Sequence, residues 1–180
     1  MSKLVIEGAI HMSIRKVLMI FAVSCCLASA NAISVAFQIL QHEDSKSDVR
    51  TACYQMETGL FDFFFDKGII VSNSPVVVTN DESEQEVMFN QSMMEASQGG
   101  VKYFVELVCE YDVSESSNPE AALLENIKQL TWKVIDLKTD KVLGSGKKVP
   151  PAARNYKKAE KGVADFSYGI AVEIYKIIRR

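Results

Sequence analysis

The sequence predicts an α/β (α+β) domain: a single mixed sheet of about four to five strands with a C-terminal hairpin, packed by two to three helices including a long C-terminal one. Three observations carry this. Residues 101–113 alternate, with Tyr103, Val105, Leu107, Cys109 and Tyr111 on one side and Lys102, Glu106, Glu110 and Asp112 on the other. A further alternating stretch, 127–137, is followed by the turn residues Thr139-Asp140 and by 142–149 as its hairpin partner. Between the strands, apolar residues recur at helical spacing in three separate segments. With 180 residues, 48% apolar and 24% charged, the chain has the size and balance of one globular domain.

The first 32 residues have the grammar of a secretory signal peptide. Met12 to Lys16 is basic, Val17 to Val23 is apolar, and Ser24 to Ala32 is small and weakly polar. Ala30-Asn31-Ala32 is an A-x-A cleavage site, so the expected mature chain begins at Ile33 and residues 33–180 form a single α/β domain. Residues 1–11 fit poorly before such a signal, and Met12 is the expected start. Ala22-Val23-Ser24-Cys25 loosely resembles a lipobox, so the alternative to a periplasmic protein is a membrane-anchored lipoprotein. Contact with membrane is expected only if Cys25 is lipidated.

Ile33 to Leu40 is apolar throughout, as a central strand requires. His42 to Lys46 is a polar turn, and Ser45 or Ser47 is placed to cap a helix running to about Lys67. Its inward stripe is Val49, Cys53, Met56, Leu60 and Phe63 or Phe64, and Gly68 ends it. Residues 69–78 form a second strand region in which Pro75 signals a bulge or an edge. A second helix runs from Asp81 or Glu82 to about Gln98, with Val87, Met88, Met94 and Ala96 partly inward. Asp81, Glu82, Glu84 and Glu86 suit the positive end of that helix; a metal site there is the weaker reading, because no histidine accompanies them. The last helix, from about Ala153 to Ile178, carries Val163, Phe166, Ile170, Ile174 and Ile177 on one stripe and Ala164, Tyr168, Ala171, Tyr175 and Ile178 on an adjacent one.

Two cysteines, Cys53 and Cys109, remain beyond the signal. Both lie on core faces. They are either buried thiols or, after export, a disulfide. His42 is the one histidine of residues 33–180, and the chain has no G-x-S-x-G, phosphate-binding glycine loop or H-E-x-x-H. Gly144-Ser145-Gly146 sits in a hairpin strand and reads as close backbone packing. The expectation is a protein that is not an enzyme and uses no cofactor or metal.

Charge is segregated along the chain. Residues 33–127 carry 17 acidic and 4 basic side chains, a net of −13, and residues 128–180 carry 13 basic and 5 acidic, a net of +8. Lys147, Lys148, Arg154, Lys157, Lys158 and Lys161 concentrate the positive charge where the hairpin leads into the last helix. One reading is neutralisation within the domain. Another is a basic patch for an anionic partner, and a third is a homo-oligomer joined through opposite charges. Nucleic acid is not an expected partner of an exported, acidic chain.

Taken in order, the elements are strand, helix, strand, helix, strand, hairpin, long helix. Phe65-Asp-Lys-Gly68 leads into Ile69-Ile-Val-Ser, Gly99-Gly100 feeds a long strand, and the hairpin reads Val134-Ile-Asp-Leu-Lys-Thr-Asp-Lys-Val-Leu143. These features resemble the bacterial envelope α/β domains grouped with the penicillin-binding-protein activator LpoB, the curli secretion protein CsgG and the amino-terminal domain of TolB. The resemblance implies a domain without chemistry of its own that docks on envelope machinery. The function expected is that of an exported, non-catalytic docking or assembly factor of a cell-envelope complex. The alternative is a periplasmic small-ligand-binding protein with an aromatic pocket lined by Phe61 to Phe65 and Trp132.

Overall fold

Ser34–His42 forms the central strand, β1. Val35, Phe37 and Ile39 alternate with Ala36 and Leu40, so both faces of the strand are apolar and both are covered. The computed structural model describes residues 32–42, 48–116, 118–151 and 159–180. After β1 come α1 (Thr51–Asp66), β2 (Ile70–Asn73), β3 (Val77–Val78), α2 (Glu82–Gln98) and β4 (Tyr103–Tyr111). A 3₁₀ turn at Leu124–Asn126 leads to the hairpin β5 (Ile127–Asp136) and β6 (Lys141–Lys148), and α3 (Ala159–Ile178) completes the unit Ser34–Arg180.

The sheet is mixed and open, with order β2-β1-β4-β5-β6 and β3 also paired with β1. β2, β3 and β4 run parallel to β1, while β5 and β6 are antiparallel. Six strands stand where four to five were expected, because residues 69–78 divide into β2 and β3. Pro75 has no N–H for a ladder, and its carbonyl instead accepts a hydrogen bond from Gln38 Nε2 at 3.1 Å. β1 lies between the strands reached by its two crossovers. Right-handed connections therefore place α1 and α2 on opposite faces of the sheet.

α1 buries Cys53, Met56, Leu60, Phe63 and Phe64, as its spacing predicts. It begins at Thr51, with Arg50 preceding it, while Ser45 and Ser47 lie outside the described residues. Gly68 stands just past its end at φ 67°, a left-handed conformation that glycine adopts without strain. α3 packs beside α1 on the same face. Phe63 meets the rings of Tyr168 and Tyr175 edge-on, with centroids 5.2 and 5.7 Å away. Of the expected stripe on α3, Val163, Phe166, Ile170 and Ile174 are buried, joined by Ala171 and Ile178. The expected start near Ala153 lies outside the described residues.

α2 corrects the sequence reading in part: Met88 and Ala96 are half-buried as expected, but the other two are not. Val87 and Met94 are 61% and 56% exposed, and the buried side chains are Phe89 and Ser92. Phe89, with Met93 and Ala96, packs on Ala36, Leu40 and Phe104. Residues 89, 92, 93 and 96 share one helical stripe, and the large phenyl ring decides which stripe faces the sheet. Asp81 caps the helix, its carboxylate accepting the Ser83 N–H at 2.8 Å and the Ser83 hydroxyl at 2.7 Å. The Ser83 side-chain hydrogen bond, followed by the backbone bonds, holds the Asp81 carboxyl below its usual range. A lowered folded-state pKa stabilises above the unfolded value and is lost as pH falls through the folded one. Asp81→Ala is expected to reduce the melting temperature by a few degrees at neutral pH. The gap should close as the pH falls below the ordinary carboxylate range, and thermal unfolding at several pH values checks it.

Candidate interaction surface

Of the basic residues singled out by sequence, Lys147 and Lys148 do not share one face. Lys147 lies opposite Thr131 and Lys148 opposite Leu130, so the pleat turns them to opposite sides of the sheet. Lys148 leans over the Phe166 ring of α3, its Nζ 5.7 Å from the centroid. Lys161 pairs with Asp165 one turn along α3, at 2.7 Å and with both groups largely exposed. Arg154, Lys157 and Lys158 lie outside the described residues.

Lys147 looks toward the face carrying α2. That helix covers the β1 and β4 side of the face and leaves a groove against the hairpin. The groove, about 510 Å³, is bordered by Gln85, Glu106, Thr131, Lys133, Ser145 and Lys147. Lys133 Nζ bridges to Glu106 Oε2 across its floor at 2.6 Å. Beside the groove runs β6, which pairs on one side only among the described residues. It is eight residues long and holds Lys141, Lys147 and Lys148. Val142 and Leu143 on it, and Val149 just after it, are 57%, 42% and 61% exposed. The opposite edge is short and broken at Pro75.

Sequence reasoning placed the hairpin but missed this exposed apolar set. The signal was present: an outer strand reading Lys-Val-Leu-Gly-Ser-Gly-Lys-Lys has too few large side chains for burial on both faces. Its glycines confirm the close-packing reading. A Cβ on Gly146 would meet Trp132 Cζ2 at 2.2 Å, and one on Gly144 would meet Ile177 Cγ2 at 3.1 Å. The glycines let the indole and α3 lie down on β6.

The residues of the ligand-pocket reading go to separate places in the fold. Phe61 meets Phe37 edge-on at 5.3 Å, Phe63 meets Phe64 at 5.5 Å, and Phe65 points outward at 78% exposure. Trp132 is 7% exposed against Gly146. In the acidic first turn of α2, Glu84 Oε2 accepts from Thr79 Oγ1 at 2.5 Å. Among the described residues no group of three or more His, Cys, Asp or Glu side chains is placed to hold a metal ion. His42 ends β1 rather than sitting in a turn, opposite Glu110 on β4. Burial works to raise the Glu110 carboxyl, but hydrogen bonds from Gln129 and Lys128, with the charges of Lys128 and His42, bring it below its usual range.

Cys53 and Cys109 are both buried and are thiols in the structure. The fold brings them together around Tyr111. Cys53 Sγ lies 3.3 Å from the Tyr111 hydroxyl oxygen, and Cys109 also hydrogen-bonds that hydroxyl. Nearby, the Arg50 guanidinium caps the Tyr111 ring at 5.4 Å and donates to the Pro119 carbonyl. Asn126 ties down the same loop, its Nδ2 donating to the carbonyls of Asn118, Pro119 and Ala121 at 3.1, 3.3 and 3.0 Å.

Fold and surface thus define a mixed α/β domain whose basic strand β6 pairs on one side only among the described residues. A family described as "Uncharacterised protein" matches residues 34–179, and the chain belongs to that family. Among curated proteins none matches. Among solved structures, the chain is similar to the PelC dodecamer of Paraburkholderia phytofirmans, at 12% identity and a TM-score of 0.46 over 81% of this chain and 88% of that one. It is similar to TolB from Acinetobacter baumannii, at 12% identity and a TM-score of 0.41 over 82% of this chain and 28% of that one. It is also similar to lipoprotein GNA1162 from Neisseria meningitidis, at 12% identity and a TM-score of 0.40 over 82% and 99%. Among the described residues no helix is long and apolar enough to cross a membrane.

Proposed function

We propose that the chain is an exported, non-catalytic docking or assembly factor of a bacterial cell-envelope complex, acting by protein–protein contact along β6. The observation that carries this reading is the open edge itself. Folded proteins usually shorten, break or cover their sheet edges, as β2 and β3 do here. β6 is long and lies open among the described residues, with Val142 and Leu143 exposed on it. Such an edge can accept an extended segment as an added strand, with main-chain hydrogen bonds giving affinity and alternate side chains giving specificity.

The lysines select the kind of segment. Pairing β6 with a second β6 about a two-fold axis would set Lys141 against Lys148, and like charges directly opposite destabilise a sheet. An acidic segment would face Lys141 and Lys147 favourably and approach faster at low salt. Arg154, Lys157, Lys158 and Lys161 extend the same charge beyond the strand in sequence.

The test is in-cell cross-linking and affinity capture of the tagged chain, beside a Lys141→Glu/Lys147→Glu variant. The expected result is one defined envelope protein, with recovery lowered about tenfold or more in the variant. Equal capture by both forms would move the contact away from β6.

A further inference from the structure

Two cysteines 56 positions apart in the chain converge on one buried hydroxyl. Cys53 enters from the first turn of α1, and Cys109 from β4, where it stands directly beside Gln41 of β1. Tyr111 follows two residues along β4 and so shares the face of Cys109. Cys53 Sγ is 3.3 Å from the Tyr111 oxygen and 3.6 Å from Gln41 Oε1. The Arg50 N–H, at the foot of α1, donates to the same Gln41 oxygen at 2.8 Å. Cys53, Cys109 and Gln41 are fully out of solvent and Tyr111 is 9% exposed. Burial first, and the two sulfurs after it, push the Tyr111 phenol well above its usual value, so the hydroxyl keeps its proton.

We propose that Cys53 and Cys109 form a disulfide that ties α1 to β4 when the chain folds in an oxidising compartment, and that the Tyr111 hydroxyl bridges the two thiols in the reduced form. The pairing depends on the compartment and not on the docking role. The chemistry is thiol–disulfide exchange with a disulfide oxidant, such as a thiol–disulfide oxidoreductase or oxidised glutathione. One thiolate attacks the oxidant's S–S bond, giving a mixed disulfide and one released thiol. The second thiolate then displaces the oxidant's remaining sulfur. One S–S bond forms in the chain, two S–H bonds are lost as two protons, and two electrons reduce the oxidant to two thiols. Both sulfurs are enclosed once α1 has closed on the sheet. Exchange therefore precedes that closure or waits for α1 to open.

The test uses the full chain carrying Cys25→Ser and Cys26→Ser, so that the two remaining thiols are those in question. Natively purified protein is incubated with reduced and oxidised glutathione in sub-denaturing urea, which lets α1 open. The expected product is about 2 Da lighter, contains one cross-linked peptide joining Cys53 to Cys109, and melts about 10 °C above its dithiothreitol-reduced form. The Cys53→Ser variant should lose both the mass change and the difference in melting. Tyr111→Phe should keep the disulfide, because the hydroxyl takes no part in the exchange. Two thiols that alkylate fully after this incubation, or glutathione carried on each without a cross-link, would overturn the pairing.

Discussion

Gly59→Ala is expected to destabilise the domain by about 3 kcal/mol, the upper part of the usual range for overpacking. Helix propensity alone predicts the opposite sign. Gly59 lies mid-way along α1, and alanine there should help by about 1 kcal/mol. Packing decides the outcome, because a Cβ at Gly59 would stand 2.1 Å from the Ala164 carbonyl oxygen and 2.2 Å from Ser167 Oγ. The serine could turn away, but the carbonyl belongs to the backbone of α3. α1 and α3 would have to separate, and the Phe63 contacts with Tyr168 and Tyr175 would loosen with them. Urea unfolding measures the loss directly. Adding Ser167→Ala should restore only a minor part of it, since the closer clash remains. A Gly59→Ala protein as stable as the parent would mean that the two helices lie further apart.

Gly146→Val should cost about 2–3 kcal/mol and shift the emission of the single tryptophan to longer wavelength. Valine is the better strand former, so local preference again points the other way. The new Cβ would meet Trp132 Cζ2 at 2.2 Å and Cε2 at 2.5 Å, and the indole has to leave its place on β6. Trp132→Leu in the same background should recover stability, because a smaller side chain clears the site. Gly144→Ala is the internal comparison. Its nearest neighbours are the side-chain atoms of Ile177 at 3.1–3.2 Å, which can shift, so its cost should be much smaller. Similar losses at both glycines would contradict the placement of the indole.

These two sites show where sequence reading stops. The stripes of α1 and α3, the glycine after α1 and the hairpin were legible, because each is written in periodicity or turn chemistry over a few neighbouring residues. Gly59 was not. Nothing in its local pattern distinguishes a glycine under a crossing helix from one that merely weakens a helix. Phe89 was missed for a related reason. α2 is mostly polar, and its apolar residues fall on more than one stripe, so the contact with Phe104 and Leu40 decides which stripe is buried. The break at Pro75 was expected, but its consequence, one short, broken sheet edge and one long edge unpaired among the described residues, appears only when the strand order is known. Likewise, six basic residues close in sequence suggested one patch. The two-residue period of β6 instead sends Lys147 and Lys148 to opposite faces. The meeting of Cys53, Cys109 and Tyr111 depends on the parallel register of β1 and β4 and on the descent of α1 over them, none of which is local.

The proposed contact edge is β6. The most direct test replaces Leu143 with a photo-cross-linking amino acid in the living cell and compares it with the same replacement at Val87, a still more exposed apolar position on α2. Irradiation should yield one discrete adduct from position 143, attached to an acidic extended segment of one envelope protein, and none from position 87. Lys141→Glu with Lys147→Glu should abolish that adduct. An adduct from position 87 but not 143, or none from either, would contradict docking along β6.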